Sequence, residues 1–219
     1  MNPKVCVSAL ALLAMLGEGG LASAQTVQDD VITITAGRAP GAQSGDRPVV
    51  TLDAEALRAS GLSDLGDALA SSLSMMEPQL RQRQVQINKT LPQDPVLVMA
   101  DRVRVEQVMI NLLRNALDAT KSVDDPQVDV LLAAGETAML TVRDNGQGIE
   151  DLDALFEPFY TTKQPGDGVG LGLAISSGIV NELGGRMTAR NAAQGGAVFE
   201  IRLPILDENG AVSAKPAAE

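Results

Sequence analysis

The chain has 219 residues, 45% of them hydrophobic but only 2% aromatic and none of them tryptophan, so any core it builds is aliphatic. A net charge of −11 argues against a nucleic-acid backbone binder, which needs a basic face, but leaves room for a nucleotide site built from a few placed donors and a metal. Histidine is absent and Cys6 is the lone cysteine, which excludes histidine acid–base chemistry, Ser-His or Cys-His nucleophile pairs, an internal disulfide and a cysteine metal cluster.

At the start of the chain, Lys4, the apolar run 5–16 and the small residues Ala22-Ser23-Ala24 have the order of a secretory signal peptide (residues 1–24) cleaved before Gln25. The run is too short to span a bilayer. Residues 25–48 are polar and turn-rich except for Val31–Thr35, a short strand. Helices are expected around residues 53–59 and 65–73, with Asp53 and Ser63 as N-caps. Residues 29–36, Val50-Thr51-Leu52-Asp53 and Leu65-Gly66-Asp67-Ala68-Leu69 together resemble the coupling box and plug start of TonB-dependent outer-membrane receptors. Residues 25–75 thus read either as such a segment or as an acidic linker.

From Met76 onward the pattern is regular. Residues 85–87 and 96–99 read as strands, and Asp101 caps a long helix reaching about Thr120. Val105, Val108, Met109, Leu112, Ala116 and Ala119 form its apolar face. Gln107, Asn111, Asn115 and Asp118 form a polar stripe on another face. Asparagine is a mediocre helix former, and two of them one turn apart suit either a solvated face or a magnesium ion with its phosphates, since magnesium takes hard oxygen ligands. A strand over residues 138–144 follows, with Leu140, Val142 and Asp144 on one face. Asp144 is then a carboxylate on a buried face that needs a donor. An adenine amino group would serve, and Gly146 and Gly148 would admit the base; a plain Asn-Gly hairpin turn is the competing reading.

Phe156-Glu157-Pro158-Phe159-Tyr160 and the polar residues 161–167 suit a mobile flap or an ordinary surface loop. Gly168-Val169-Gly170-Leu171-Gly172 opens a helix over residues 171–183, where free N–H groups favour an anion. The run lacks a Gly-Lys-Ser/Thr ending, which excludes a standard P-loop, and no βαβ unit opens there to suggest a Rossmann site. Residues 187–191 and 197–203 close the domain as a strand pair turning at Gly195-Gly196. Residues 206–219 read as a flexible tail.

Taken in order, Asn111-Leu-Leu-Arg-Asn115-Ala-Leu-Asp118-Ala119, Asp144-Asn-Gly-Gln-Gly148, Phe156-Glu-Pro-Phe159 and Gly168-Val-Gly170-Leu-Gly172-Leu resemble the N, first glycine, F and second glycine boxes of bacterial sensor histidine kinases. Phe159-Tyr160-Thr161-Thr162-Lys163 and Gly178-Ile179-Val180 look most like the dicarboxylate-sensing and nitrogen-regulatory branch. The resemblance implies an α/β fold for residues 76–205, the two-layer sandwich of the histidine-kinase/gyrase-type (Bergerat) ATPases, preceded by a poorly structured N-terminal third. It implies ATP and Mg2+ as cofactors, with Asp144 on the adenine amino group, Asn115 on magnesium and Asn111 near the phosphates. Asp118, Gly146, Gly148, Ile149, Gly168, Gly170, Leu171 and Gly172 would complete the ATP site. Lys163 would be either a phosphate contact or a solvated lysine. The gyrase-type relatives carry a glutamate where Asn111 stands; an amide cannot take a proton, which favours phosphoryl transfer over hydrolysis.

With no histidine in these residues, transfer is expected only in trans, to the phosphoacceptor histidine domain of another kinase chain and from there to a response regulator, with no catalytic residue in cis. The expected state is a monomer with no stable membrane span and no nucleic-acid partner. A cytoplasmic location expected for ATP chemistry conflicts with the export signal, which would lead to the periplasm; a gene fusion or an internal start at Met75 or Met76 would reconcile them. The alternatives are an ATP-binding relic and an exported, non-enzymatic fragment.

Overall fold

The computed structural model of the chain describes residues 61–163 and 169–206, together with the backbone of three earlier strands. Those strands, β1 (Ser23–Gln25), β2 (Val31–Thr35) and β3 (Val49–Asp53), form an antiparallel sheet in that order. The expected strand at Val31–Thr35 is present, whereas Asp53, expected to cap a helix, is the last residue of β3 and pairs with Val31. The expected leader lies outside the described residues apart from the backbone of Ser23 and Ala24, and so do residues 207–219 of the expected tail.

From Gly61 the order is β4 (Leu62–Asp64), α1 (Leu65–Gln82), β5 (Gln86–Thr90), β6 (Leu97–Met99), α2 (Arg102–Ala119), β7 (Gln127–Ala134), β8 (Thr137–Asp144), α3 (Gly172–Glu182), β9 (Arg186–Asn191) and β10 (Ala197–Pro204). The main sheet runs β5-β7-β8-β10-β9, parallel between β5 and β7 and antiparallel elsewhere; β4 and β6 pair separately. Alternation sets the sheet's inner face. Val130, Val142 and Phe199 stand in register across three strands, and so do Leu132, Leu140 and Ile201. That face meets the apolar sides of all three helices in one core. The architecture is the expected two-layer α/β sandwich.

Helix α2 is the central helix, packed on α1, α3 and β8. Asp101 Oδ1 accepts from the N–H groups of Val103 (2.8 Å) and Arg104 (3.3 Å), and Arg102 pairs with Glu106 one turn on. Leu112, Leu113 and Leu117 are wholly buried on it, and each contributes roughly 1.5–3 kcal/mol. The wider stripe reflects burial between two helices and a sheet at once.

Helix α1 departs from expectation. Its cap is Asp64, whose Oδ1 accepts from Gly66 N (2.9 Å) and from Val96 N (3.2 Å). Ser63, the expected cap, instead donates to Ala100 O at 2.7 Å, beside the β4–β6 pairing. The helix continues through Pro78 to Gln82 although proline removes one helical donor. Leu65, Ala68, Leu69, Ser72, Met76 and Leu80 all bury along one side, and that packing outweighs the lost bond. The boundary expected at Met76 therefore falls inside a helix whose first half already belongs to the core.

Strand β7 has no counterpart in the sequence reading. Val128, Val130 and Leu132 alternate on its buried side, and Gly135 and Glu136 turn the chain into β8.

Candidate functional site

The polar stripe of α2 and the ends of β8, α3, β9 and β10 converge. At one end of the cleft lies Asp144, last residue of β8 and 2% exposed. Its Oδ1 accepts from Gly146 N (2.9 Å) and Ala197 N (3.2 Å). Among the described residues nothing donates to Oδ2, yet no buried side-chain nitrogen or oxygen there lacks a partner, so Oδ2 opens onto space that a donor can enter. Burial pushes this carboxyl above its usual range, and the two backbone N–H groups only partly offset that.

The loop after β8 is pinned at three points. Asn145 donates to Asp125 O (2.8 Å) and accepts from Gln127 N (2.9 Å). Gln147 N reaches Ala119 O at 3.3 Å. Asn191, the end of β9, accepts from Ile149 N at 2.7 Å and donates to Ile149 O at 2.9 Å. The glycines here answer to close packing: a Cβ on Gly146 would lie 2.4 Å from Ala119 O, and one on Gly148, which has φ +79°, 2.8 Å from Asn191 Oδ1.

Nearer the start of α2 the cleft joins that helix to α3. Asn111 Nδ2 donates to Ser176 Oγ at 2.9 Å, and a Cβ on Gly172 would come within 2.3 Å of Asn111 Oδ1. Helix α3 starts at Gly172 after Leu171, without a side-chain cap, so its first N–H groups are left for an anion. Gly170, with φ +73°, lies against the backbone of Phe159 and Tyr160, and Phe159 N donates to Gly170 O at 3.0 Å. Gly168 lies outside the described residues.

Later on α2, next to the Ala119 that holds the loop after β8, Lys163 Nζ donates to Asp118 Oδ2 at 2.7 Å and to Asn115 Oδ1 at 3.4 Å. Asp118 Oδ1 receives Arg83 (3.1 Å) and Lys121 (3.2 Å). Burial pushes Asp118 up, but hydrogen bonds from Lys163, Arg83 and Lys121 outweigh it and hold it at about 2. Asn115 and Asp118 thus already present hard oxygens to a cation, the donor chemistry magnesium takes. Among the described residues no three Asp, Glu, Cys or His side chains gather as a metal cluster.

The site residues expected from sequence therefore fall into three groups along α2: Asp144, Gly146, Gly148 and Ile149; Asn111, Leu171 and Gly172; Asn115, Asp118 and Lys163. Gly170 rests on the segment leading to Lys163. Sequence reasoning missed Arg83, Lys121, Asn145, Ser176, Asn191 and the N–H of Ala197; all but Lys121, three residues after Asp118, enter through pairings distant in the chain.

The fold is the two-layer sandwich of the ATPase-type domains expected from sequence. Residues 100–207 match the family model described as histidine kinase-, DNA gyrase B- and HSP90-like ATPase. More particularly, the chain resembles sensor histidine kinases. It is 38% identical over 169 residues to the C4-dicarboxylate transport sensor protein DctB of Pseudomonas aeruginosa, covering 75% of this chain and 27% of that protein. Among solved structures, the nucleotide-free catalytic domain of histidine kinase ThkA superposes with a TM-score of 0.58 at 29% identity, over 65% of this chain and 93% of that one. Full-length ShkA in complex with AMPPNP gives 0.55 at 28% identity, over 71% of this chain and 32% of that one. The chain spans about a quarter of the length of the curated relatives it matches. No described helix is long and apolar enough to cross a membrane.

Proposed function

We propose that the chain binds Mg-ATP along α2 and donates the γ-phosphoryl group to a histidine on a partner domain. The base lies at Asp144, the phosphates at the start of α3 and beside Lys163. Asn115, with Asp118 behind it, would hold magnesium, which neutralises charge on the transferring group. The imidazole nitrogen of the partner forms its bond to the γ-phosphorus as the bond to the ADP oxygen breaks. This chain's residues supply position and charge only. Asn111 is committed to Ser176 and cannot act as a base, which supports transfer to a protein acceptor over attack by water. The 219 residues hold no histidine, so the acceptor is placed on another chain or segment, with a response regulator downstream. The 38% identity to DctB supports the dicarboxylate-sensor-like branch. The reading places the unit in the cytoplasm, where ATP is, as a monomer.

The observation that carries this reading is Asp144: a buried carboxylate with one oxygen fixed by two backbone donors and the other open to one more. Thermal unfolding of the chain with and without Mg-ATP tests it. The parent gains about 2.7 kcal/mol at a hundredfold excess of ligand over the dissociation constant, and Asp144→Ala gains none. Label from radioactive ATP then passes to a histidine domain mixed in. An unshifted, folded parent would sink the reading.

A further inference from the structure

Asn191 stands outside every motif, yet among the described residues its side chain is the one that hydrogen-bonds Ile149, at the far end of the loop that leaves Asp144. It meets Ile149 from both sides, at 2.7 Å to the N–H and 2.9 Å to the carbonyl, across a separation of 42 residues. The reversed amide would set donor against donor and acceptor against acceptor, so its orientation is fixed. Gly148, before it, has no room for a Cβ against the same amide. The hairpin that follows Asn191 returns to Asp144: Ala192 N donates to Gly196 O at 2.9 Å, and Ala197 N donates to Asp144 Oδ1. One turn of chain thus sets the carboxylate with one hand and Ile149 with the other.

We infer that Asn191 is a positioning residue that determines base selectivity; this rests on the reading of Asp144 as the adenine contact. Because the amide occupies both backbone groups of Ile149, that residue offers a base only its apolar side chain, which packs partly against the core. Asp144 Oδ2 is then the polar reader, and it accepts from an exocyclic amine. Guanine presents a carbonyl oxygen at the equivalent place and is refused. With the amide gone, the N–H of Ile149 becomes a donor that a guanine oxygen can use, and the loop loses its register on Asp144.

The full 219-residue chain is titrated with Mg-ATP and with Mg-GTP, alongside Asn191→Leu, Asn191→Asp and Asp144→Ala. Asn191 is exposed, so its substitution leaves the unfolding midpoint without nucleotide nearly unchanged. In Asn191→Leu, ATP binding weakens roughly tenfold, equal to about 1.4 kcal/mol, GTP binding does not weaken in step, and the Ile149 amide exchanges faster with solvent. Asn191→Asp keeps the acceptor but sets a carboxylate against Ile149 O, and falls between. An ATP-to-GTP ratio equal to the parent's in Asn191→Leu overturns this role while leaving ATP binding at Asp144 intact. Failure of the parent itself to bind ATP overturns the nucleotide reading and this role together.

Discussion

The cleft holds two carboxylates, Asp144 and Asp118, and treats them in opposite ways. Asp144 is bonded only by backbone N–H groups within a packed hairpin, and its carboxyl is raised. Asp118 is bonded by three long cationic side chains and its carboxyl is lowered to about 2. Backbone donors cannot leave without unfolding a strand end, so the base end is preorganised. Ion pairs of half-exposed lysine and arginine exchange cheaply with water or a ligand, so the cluster on Asp118 is adjustable. A site that must recognise one base and then let go of a phosphoryl group needs both kinds of construction.

The comparison breaks most visibly at Gly196. A Cβ there would lie 1.9 Å from Asp144 O, at a φ of +86°. Gly196→Ala is expected to cost about 3 kcal/mol or more in urea unfolding, because only backbone movement relieves the clash; a loss under about 1 kcal/mol would mean that the base end is not rigid. Asp118→Asn comes next, with an expected loss of about 1 kcal/mol that shrinks in high salt.

Acid titration separates the two carboxylates by sign. Asp118, depressed from 3.8 to about 2, stabilises the fold above about pH 4, and that contribution disappears as pH falls to about 2. Asp144, raised above 3.8, takes its proton earlier; the folded state binds that proton more readily than the unfolded chain, so stability does not fall there, but the acceptor for an amine is lost. Nucleotide affinity, followed by calorimetry, should therefore decline before acid unfolding begins. The smallest effect is expected at Arg81, whose pair with Glu77 on α1 is exposed on both sides: Arg81→Ala should change stability by under about 0.5 kcal/mol.

Much of this architecture could be read from local signals. Helix α2 was legible end to end because a capping aspartate and helical spacing coincide. Asp144 was legible because strand alternation alone sends it to the buried side. Helix α1 was expected only to residue 73; it runs on past Pro78 to Gln82 because Met76 and Leu80 are buried in the core. Strand β7 carried its alternation in plain view, at Val128, Val130 and Leu132, behind a turn-like Asp124-Asp125-Pro126. The clamp of Asn191 on Ile149 and the grip of Arg83 on Asp118 had no local trace. Both depend on the register of segments dozens of residues apart, which no pattern within one segment encodes.

The crowding of Arg83, Lys121 and Lys163 on Asp118 has a consequence for how substitutions there would be scored. Each cation reaches the carboxylate separately, from the end of α1, the end of α2 and the segment before α3. Removing one leaves the other two in place, so a survey of single changes scored by stability alone would rate all three basic positions as tolerant. The shared acceptor has no substitute and would rate as sensitive. As far as stability goes, the spokes can change one at a time while the hub stays fixed, and the dependence among them emerges only when two are lost together.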